Sequence, residues 1–436
     1  MKTLYPAKQT ALAHFIDAQK RDLSTLDSSV VGTGKTVVAA HLALKLFRNV
    51  AVICPKAVVT NWERELAEHG IKPIFVLNYE KIRTGRTLFL TKVGKKIMRW
   101  RLPQNTLLIF DEVQKCKGPF TQNTQLLISA KQCGLRIHML SATACEDPTE
   151  MRGIGYALRL HDLNRGDKHF PGWTGWMGVS GCKQDHWGAW YLSNREKLKD
   201  VRDKIYNELK NGFRLTVKDF PDSFRDNRVQ VLPVKCVKAV GAAYSNNNLS
   251  EEALVNYIDN EVLAPNEHPE EEIFIVRLLR ARQEAELGKV PELLALAEDY
   301  VDQGLAVVLF VNFRATAEAL MVHLKCRVIQ GSQTAEARQE AIDRFQRDED
   351  QVLVVNIEAG GTGLSLHDVN GVRPRVSLIS PTFNAKSHLQ VLGRIYRNGA
   401  KSDALQQIIV AADTVEEAIV AAIERKCKNL EYLHGE

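Results

Sequence analysis

A chain of 436 residues is longer than one ordinary hydrophobic core serves and suits two domains of roughly 150 to 220 residues each. With 45% hydrophobic and 25% charged residues the composition excludes a disordered or fibrous chain, and the net charge of +6 permits a polyanionic partner without requiring one. The 8 cysteines are scattered with no C-x-x-C pair, which excludes a disulfide framework and a zinc ribbon; no run approaches the roughly 18 apolar residues of a membrane span. The opening MKTLYPAKQT has no apolar core of a signal peptide, so the expectation is a cytoplasmic protein with no membrane partner.

The first motif in chain order is Ser29-Val-Val-Gly-Thr-Gly-Lys35-Thr36. It opens a helical pattern and matches the G-x-x-x-x-G-K-T phosphate loop, with Ser29 in place of the first glycine. The spacing has a chemical reason. Gly32, Thr33 and Gly34 let backbone N–H groups crowd around phosphates, the helix N-terminus faces negative charge, Lys35 reaches the β and γ oxygens, and Thr36 ligates Mg²⁺. The ligands expected are ATP and Mg²⁺.

Residues 50–54, 107–110 and 137–140 are short apolar runs separated by helical periodicity, the pattern of buried parallel strands with crossover helices. The run 107–110 delivers Asp111 and Glu112 at its C-terminal end. Beyond a phosphate loop in the same sheet, Asp111 is expected to hold Mg²⁺ and Glu112 to orient and deprotonate the attacking water. Lys92, Lys95, Lys96, Arg99 and Arg101, interrupted by Trp100, form a basic stretch that reads either as a solvated helix or as a phosphate-tracking surface. Ser141-Ala142-Thr143 follows the next strand.

Residues 145–230 differ: Trp173, Trp176, Trp187 and Trp190 cluster, and 194–210 is a charged helical stretch. The tryptophans suit the core of a small insertion better than base stacking. A second strand series then begins at 307–311, 352–355, 376–379 and 408–410, with helices at 335–345 and 415–428. Late in it stands Gln390-Val-Leu-Gly-Arg394-Ile-Tyr-Arg397. Two arginines three apart are expected on one helical face, aimed at a phosphate.

These motifs in this order resemble the Swi/Snf-like branch of superfamily 2 helicases. The resemblance implies an α/β fold of two tandem RecA-like parallel-sheet lobes with a helical, tryptophan-containing insertion, with lobe 1 at 1–144, the insertion at 145–230 and lobe 2 at 231–436. It implies an ATP site at the junction of the lobes, with Gln9 reading adenine, Gly363 sensing nucleotide, and Gln390, Arg394 and Arg397 completing the catalytic set. It also implies strand contacts from Pro55 and Lys56 (motif Ia), Asn78 and Tyr79 (motif Ib), Asn312 and Phe313 (motif IV), Gly331, and Gly361 with Thr362 (motif V). Trp62, beside motif Ia, reads as a helix-packing residue.

Phe213-Arg214 and Leu232-Pro233 are similar to the interlobe stretch of annealing helicases, with that family's paired arginines reduced to Arg214 and Leu215. Asp-Glu-Val-Gln replaces Asp-Glu-Ala-His, and Ser-Ala-Thr replaces Thr-Gly-Thr. The acids and the hydroxyl remain, so hydrolysis is expected to survive. The function implied is an ATP-dependent motor on duplex or branched DNA, with an RNA helicase and a nucleotide-gated clamp as the alternatives; the compact length suits a phage or bacterial enzyme.

Overall fold

The structure is a computed structural model that describes residues 4–93, 97–164, 171–186, 188–260, 269–360 and 364–434. The chain divides into two compact units, one built mainly from Met1–Phe220 and the other from Pro221–Lys428. The second unit thus starts ahead of the expected 231, and the expected insertion is largely part of the first.

The first unit is built on six parallel strands in the order β11-β1-β8-β7-β2-β3. They are β1 (Thr25–Asp27), β2 (Asn49–Cys54), β3 (Phe75–Asn78), β7 (Thr106–Asp111), β8 (Arg136–Leu140) and β11 (Gly212–Phe213). A three-stranded antiparallel sheet, β4 (Arg86–Thr87), β5 (Leu90–Val93) and β6 (Ile97–Trp100), stands between β3 and β7 in sequence. Of the two readings of the basic stretch, the helix is not what forms: Leu90, Met98 and Trp100 alternate inward with polar residues between them, a period of two. Lys95 and Lys96 lie outside the described residues.

Trp173 and Trp176 stack at 5.8 Å, with His161 against both, and join the core of this unit. Packing is thus what these two tryptophans do; Trp187 lies outside the described residues. A short hairpin of β9 (Cys182–Gln184) and β10 (Trp190–Leu192) completes the region.

The second unit carries another six-stranded parallel sheet, ordered β12-β17-β16-β13-β15-β14. Its strands are β12 (Asn227–Val234), β13 (Ala306–Val311), β14 (Arg327–Ile329), β15 (Val352–Asn356), β16 (Arg375–Ile379) and β17 (Ala404–Ala411). Along β13, Ala306, Val308 and Phe310 enter one core and Val307, Leu309 and Val311 another. Both faces are covered by helices, which is why these strands read as unbroken apolar runs. Two such lobes in tandem are the expected RecA-like arrangement. Among the described residues, no helix is long and apolar enough to cross a membrane.

Candidate nucleotide site

β1 runs directly into the phosphate loop, and the helix Lys35–Leu46 leaves it. Gly32 and Gly34 both sit at φ +88°, left-handed backbone open to glycine, and Gly34 is the N-cap. The Lys35 ammonium donates to the carbonyls of Ser29 (2.6 Å) and Val30 (3.2 Å). Desolvation lowers its pKa, while the carboxylates of Asp27, Glu112 and Asp111 oppose that shift. Lys35 and the adjacent acids Asp111 and Glu112, more than 75 residues further along the chain, are thus one electrostatic group.

Asp111 ends β7 with its carboxylate held on both sides: Glu112 N–H donates to Oδ1 (3.0 Å) and Trp62 Nε1 donates to Oδ2 (2.8 Å). Each oxygen keeps lone pairs for a further partner. Burial, followed by the neighbouring Glu112 charge, pushes the Asp111 carboxyl up to about 7. A divalent cation would relieve that crowding, so Asp111 with Thr36 fits Mg²⁺ on donor chemistry. Glu112 itself is left-handed at φ +52°, a sparsely populated conformation for a non-glycine, and takes a hydrogen bond from Gln114 Nε2.

Sequence reasoning missed several supports. Trp62 is 1% exposed, as packing requires, but its indole N–H also fixes the Asp111 carboxylate. Asp27 is buried under the loop, accepts from Ser29 N–H at 3.0 Å, and has its pKa raised by that burial. Lys8 reaches Gly34: a Cβ built there would lie 2.7 Å from its Nζ. Gln9, one residue on, is exposed and donates to Leu4 O. Only the packing of the N-terminal helix distinguishes the two.

The segment around β11 clamps the loop. Ser28 N–H donates to Phe213 O, Val30 N–H to Leu215 O, and Leu215 N–H to Ser29 Oγ, each at 2.9 Å. Ser29, buried at 1% exposure, therefore supplies an acceptor that a glycine there would lack. Arg214 donates to Ser28 O at 2.6 Å and approaches Ala142 O at 3.5 Å, while Ser141 N–H donates to Asp27 O. The Ser-Ala-Thr motif is thereby tied to the loop through backbone and one arginine.

Several expected strand contacts need correction. Pro55 is buried, and Tyr79 has no exposed surface, its hydroxyl donating to Asp111 O at 2.9 Å. Tyr79 supports the acids from below, where it cannot touch a strand. Asn78 accepts from Lys81 N–H as a helix cap, whereas Lys56 is exposed. In lobe 2, Asn312 Nδ2 donates to buried Glu286 (2.7 Å) and Pro381 O (3.0 Å), and Glu286 also takes Phe313 N–H. Motif IV is thus pinned by Glu286, and the Asn312 amide is spent inside its own lobe. Gly331 has open space about it; Gly361, Thr362 and Gly363 lie outside the described residues.

The arginines also differ from expectation. The helix Ala385–Leu392, which carries half-buried Gln390, ends at Gly393 before either arginine. Arg394 is 2% exposed, and Arg394 Nη1 (3.3 Å) and Arg397 Nη2 (2.6 Å) both donate to Leu364 O. They converge through a turn, not along a helical face, onto the backbone that follows the glycine-rich motif V.

Residues 288–399 match the helicase conserved C-terminal domain. The chain is 29% identical over 462 aligned positions to the putative ATP-dependent RNA helicase L364 of Acanthamoeba polyphaga mimivirus, covering 98% of this chain and 83% of that protein. It is 29% identical to the DNA repair and recombination protein RAD54 of Saccharomyces cerevisiae, but over 26% of this chain and only 13% of that protein. Similarity to the human DNA excision repair protein ERCC-6-like is 30% over 31% of this chain and 11% of that one. The Swi2/Snf2 ATPase core of Sulfolobus solfataricus, solved in complex with dsDNA, aligns over 100% of this chain and 94% of that one at 16% identity and a TM-score of 0.39. With the matched helicase domain and these relatives beside the phosphate loop, the paired acids and the arginine pair, the chain is an ATP-hydrolysing enzyme of the helicase type, similar over part of its length to repair proteins of the Swi/Snf-like branch of superfamily 2.

Proposed function

We propose that the chain is a DNA translocase that couples hydrolysis of ATP with Mg²⁺ to movement along duplex or branched DNA. The observation that carries this reading is the grouping of Lys35 with Asp111 and Glu112, alongside an intact Arg394 and Arg397 pair. A clamp without turnover has no use for Glu112 held in a left-handed turn beside the metal-binding acid.

In this reading Lys35 leaves the Ser29 and Val30 carbonyls for phosphate oxygens, exchanging neutral acceptors for charged ones, which form roughly twice as strong a hydrogen bond. Thr36 and Asp111 would hold Mg²⁺, which would supply positive charge against the triphosphate. Glu112 aligns the attacking water. Arg394 and Arg397 give up the Leu364 carbonyl and meet the developing charge on the γ-phosphoryl group, a role worth about 10³ to 10⁵ in rate. DNA is favoured by the names of the repair proteins that the chain resembles.

One observation favours RNA instead: the relative aligned over 98% of this chain is named as an RNA helicase. Steady-state hydrolysis measured with no nucleic acid, single-stranded DNA, duplex DNA, a four-way junction and RNA, beside Lys35→Ala, separates the readings. Stimulation by duplex or junction DNA that disappears in Lys35→Ala is the expected result. Stimulation by RNA alone moves the chain to the RNA reading, and absence of turnover with every substrate overturns the motor.

A further inference from the structure

Between Lys81 and Phe110 the chain carries eight cations (Lys81, Arg83, Arg86, Lys92, Lys95, Lys96, Arg99 and Arg101) and no aspartate or glutamate. A solvated surface normally mixes the two signs. The small β4-β5-β6 sheet sorts part of this charge onto one face. Its register pairs Arg86 with Thr91 and Thr91 with Arg99, so these three side chains stand in one row across the sheet. The alternate row, Leu90 with Trp100, turns inward, and Trp100 Nε1 donates to Ser129 Oγ of the helix Gln122–Gln132. Arg101 continues β6, its N–H donating to Phe89 O.

Arg86, Arg99 and Arg101 are all exposed. No aspartate or glutamate among the described residues forms an ion pair with any of them. Adjacent strands lie about 4.8 Å apart, so Arg86 and Arg99 are separated by roughly 10 Å across the sheet and Arg99 and Arg101 by about 7 Å along it. At the turn between β4 and β5 stands Leu88, 83% exposed, beside Phe89, whose ring packs on Phe75. The hairpin thus presents guanidinium groups that no described carboxylate pairs with, and one apolar side chain at its tip.

We propose that this sheet is a nucleic-acid contact: Arg86, Arg99 and Arg101 bind the phosphates of a strand while Leu88 rests on its sugar or base edges. The proposal rests on the nucleic-acid motor reading and adds to it a surface outside the motifs of the two lobes. Charge complementarity chooses the partner, since an acid-free array of arginines suits a polyanion, and guanidinium groups pair with phosphate oxygens in a bidentate fork.

The test uses the full chain. Duplex DNA binding is measured by fluorescence anisotropy over a salt series for the unaltered protein, for Arg86→Gln/Arg99→Gln/Arg101→Gln and for Leu88→Ser. The triple variant is expected to lower the log–log salt slope by about 2 to 3, at about 0.9 per phosphate. Leu88→Ser is expected to weaken binding severalfold at an unchanged slope, and hydrolysis without nucleic acid stays the same in both, which shows that they are folded. A triple variant with the unaltered protein's slope overturns the hairpin contact and leaves the motor reading in place. An unaltered protein that shows neither DNA binding nor stimulation overturns both.

Discussion

Trp62 shows how much one side chain contributes to the nucleotide site. It fills the core at 1% exposure and also gives its only hydrogen-bond donor to Asp111. Trp62→Phe keeps most of the volume and removes the N–H; hydrogen bonds to charged groups contribute about 1.5 to 3 kcal/mol. The expected result is a fall in kcat of roughly tenfold to a hundredfold with a raised Mg²⁺ requirement, measured by titrating Mg²⁺ in the hydrolysis assay. Glu112→Gln, by contrast, is expected to abolish turnover while nucleotide binding persists. His138 makes a prediction about pH. Burial lowers its pKa to about 3 from an ordinary 6.5, so the folded form stays neutral where the unfolded chain takes up a proton. Its stabilising effect is complete above the unfolded value of 6.5 and is lost as pH falls toward about 3, by about 1.4 kcal/mol per unit. Denaturant melts between pH 7 and 5 are therefore expected to show stability falling with pH, and the slope to flatten in His138→Gln at the cost of lower stability throughout.

At the level of elements, the buried strands were legible because residues covered on both faces leave unbroken apolar runs, as in β7 and β13. The motifs at their C-terminal ends were legible for the same reason, since a strand places them. What escaped was set by long-range contact. The β11 segment is a two-residue edge strand with no apolar run of its own, yet it holds Ser28, Val30 and Ser29 through backbone hydrogen bonds. Sequence similarity read Arg214 as a remnant of an interlobe pair, whereas it braces the phosphate loop at Ser28 O. The basic stretch was open to a helical reading because its cations obscure the alternation of Leu90, Met98 and Trp100. Arg394 and Arg397 have helical spacing, but the helix has ended by Gly393.

In the second lobe, Lys289 at the N-cap of the helix Val290–Asp302 makes a buried pair at 2.6 Å with Glu416 of the helix after β17, and Glu416 also accepts Ala411 N–H. Removing one partner leaves an uncompensated buried charge, which costs about 3 to 5 kcal/mol. Glu416→Ala is expected to lower the melting temperature of the lobe, and Glu416→Gln to lower it less because the hydrogen bonds can persist; calorimetry of the full chain checks both.

On the scale of the whole molecule, the phosphate loop and the paired acids belong to one unit and the arginines on Leu364 to the other. That division was readable from motif order, because the two strand series are separate in the chain and each carries its own motifs. The expected strand contacts were less readable, since Pro55 and Tyr79 are buried. The exposed cations of the β4-β5-β6 sheet lie outside the motifs altogether. Movement along DNA driven by hydrolysis is measured most directly by displacement of a third strand from a triplex on duplex DNA. Displacement that requires ATP and is lost in Glu112→Gln is the expected result; DNA-stimulated hydrolysis without any displacement would contradict translocation.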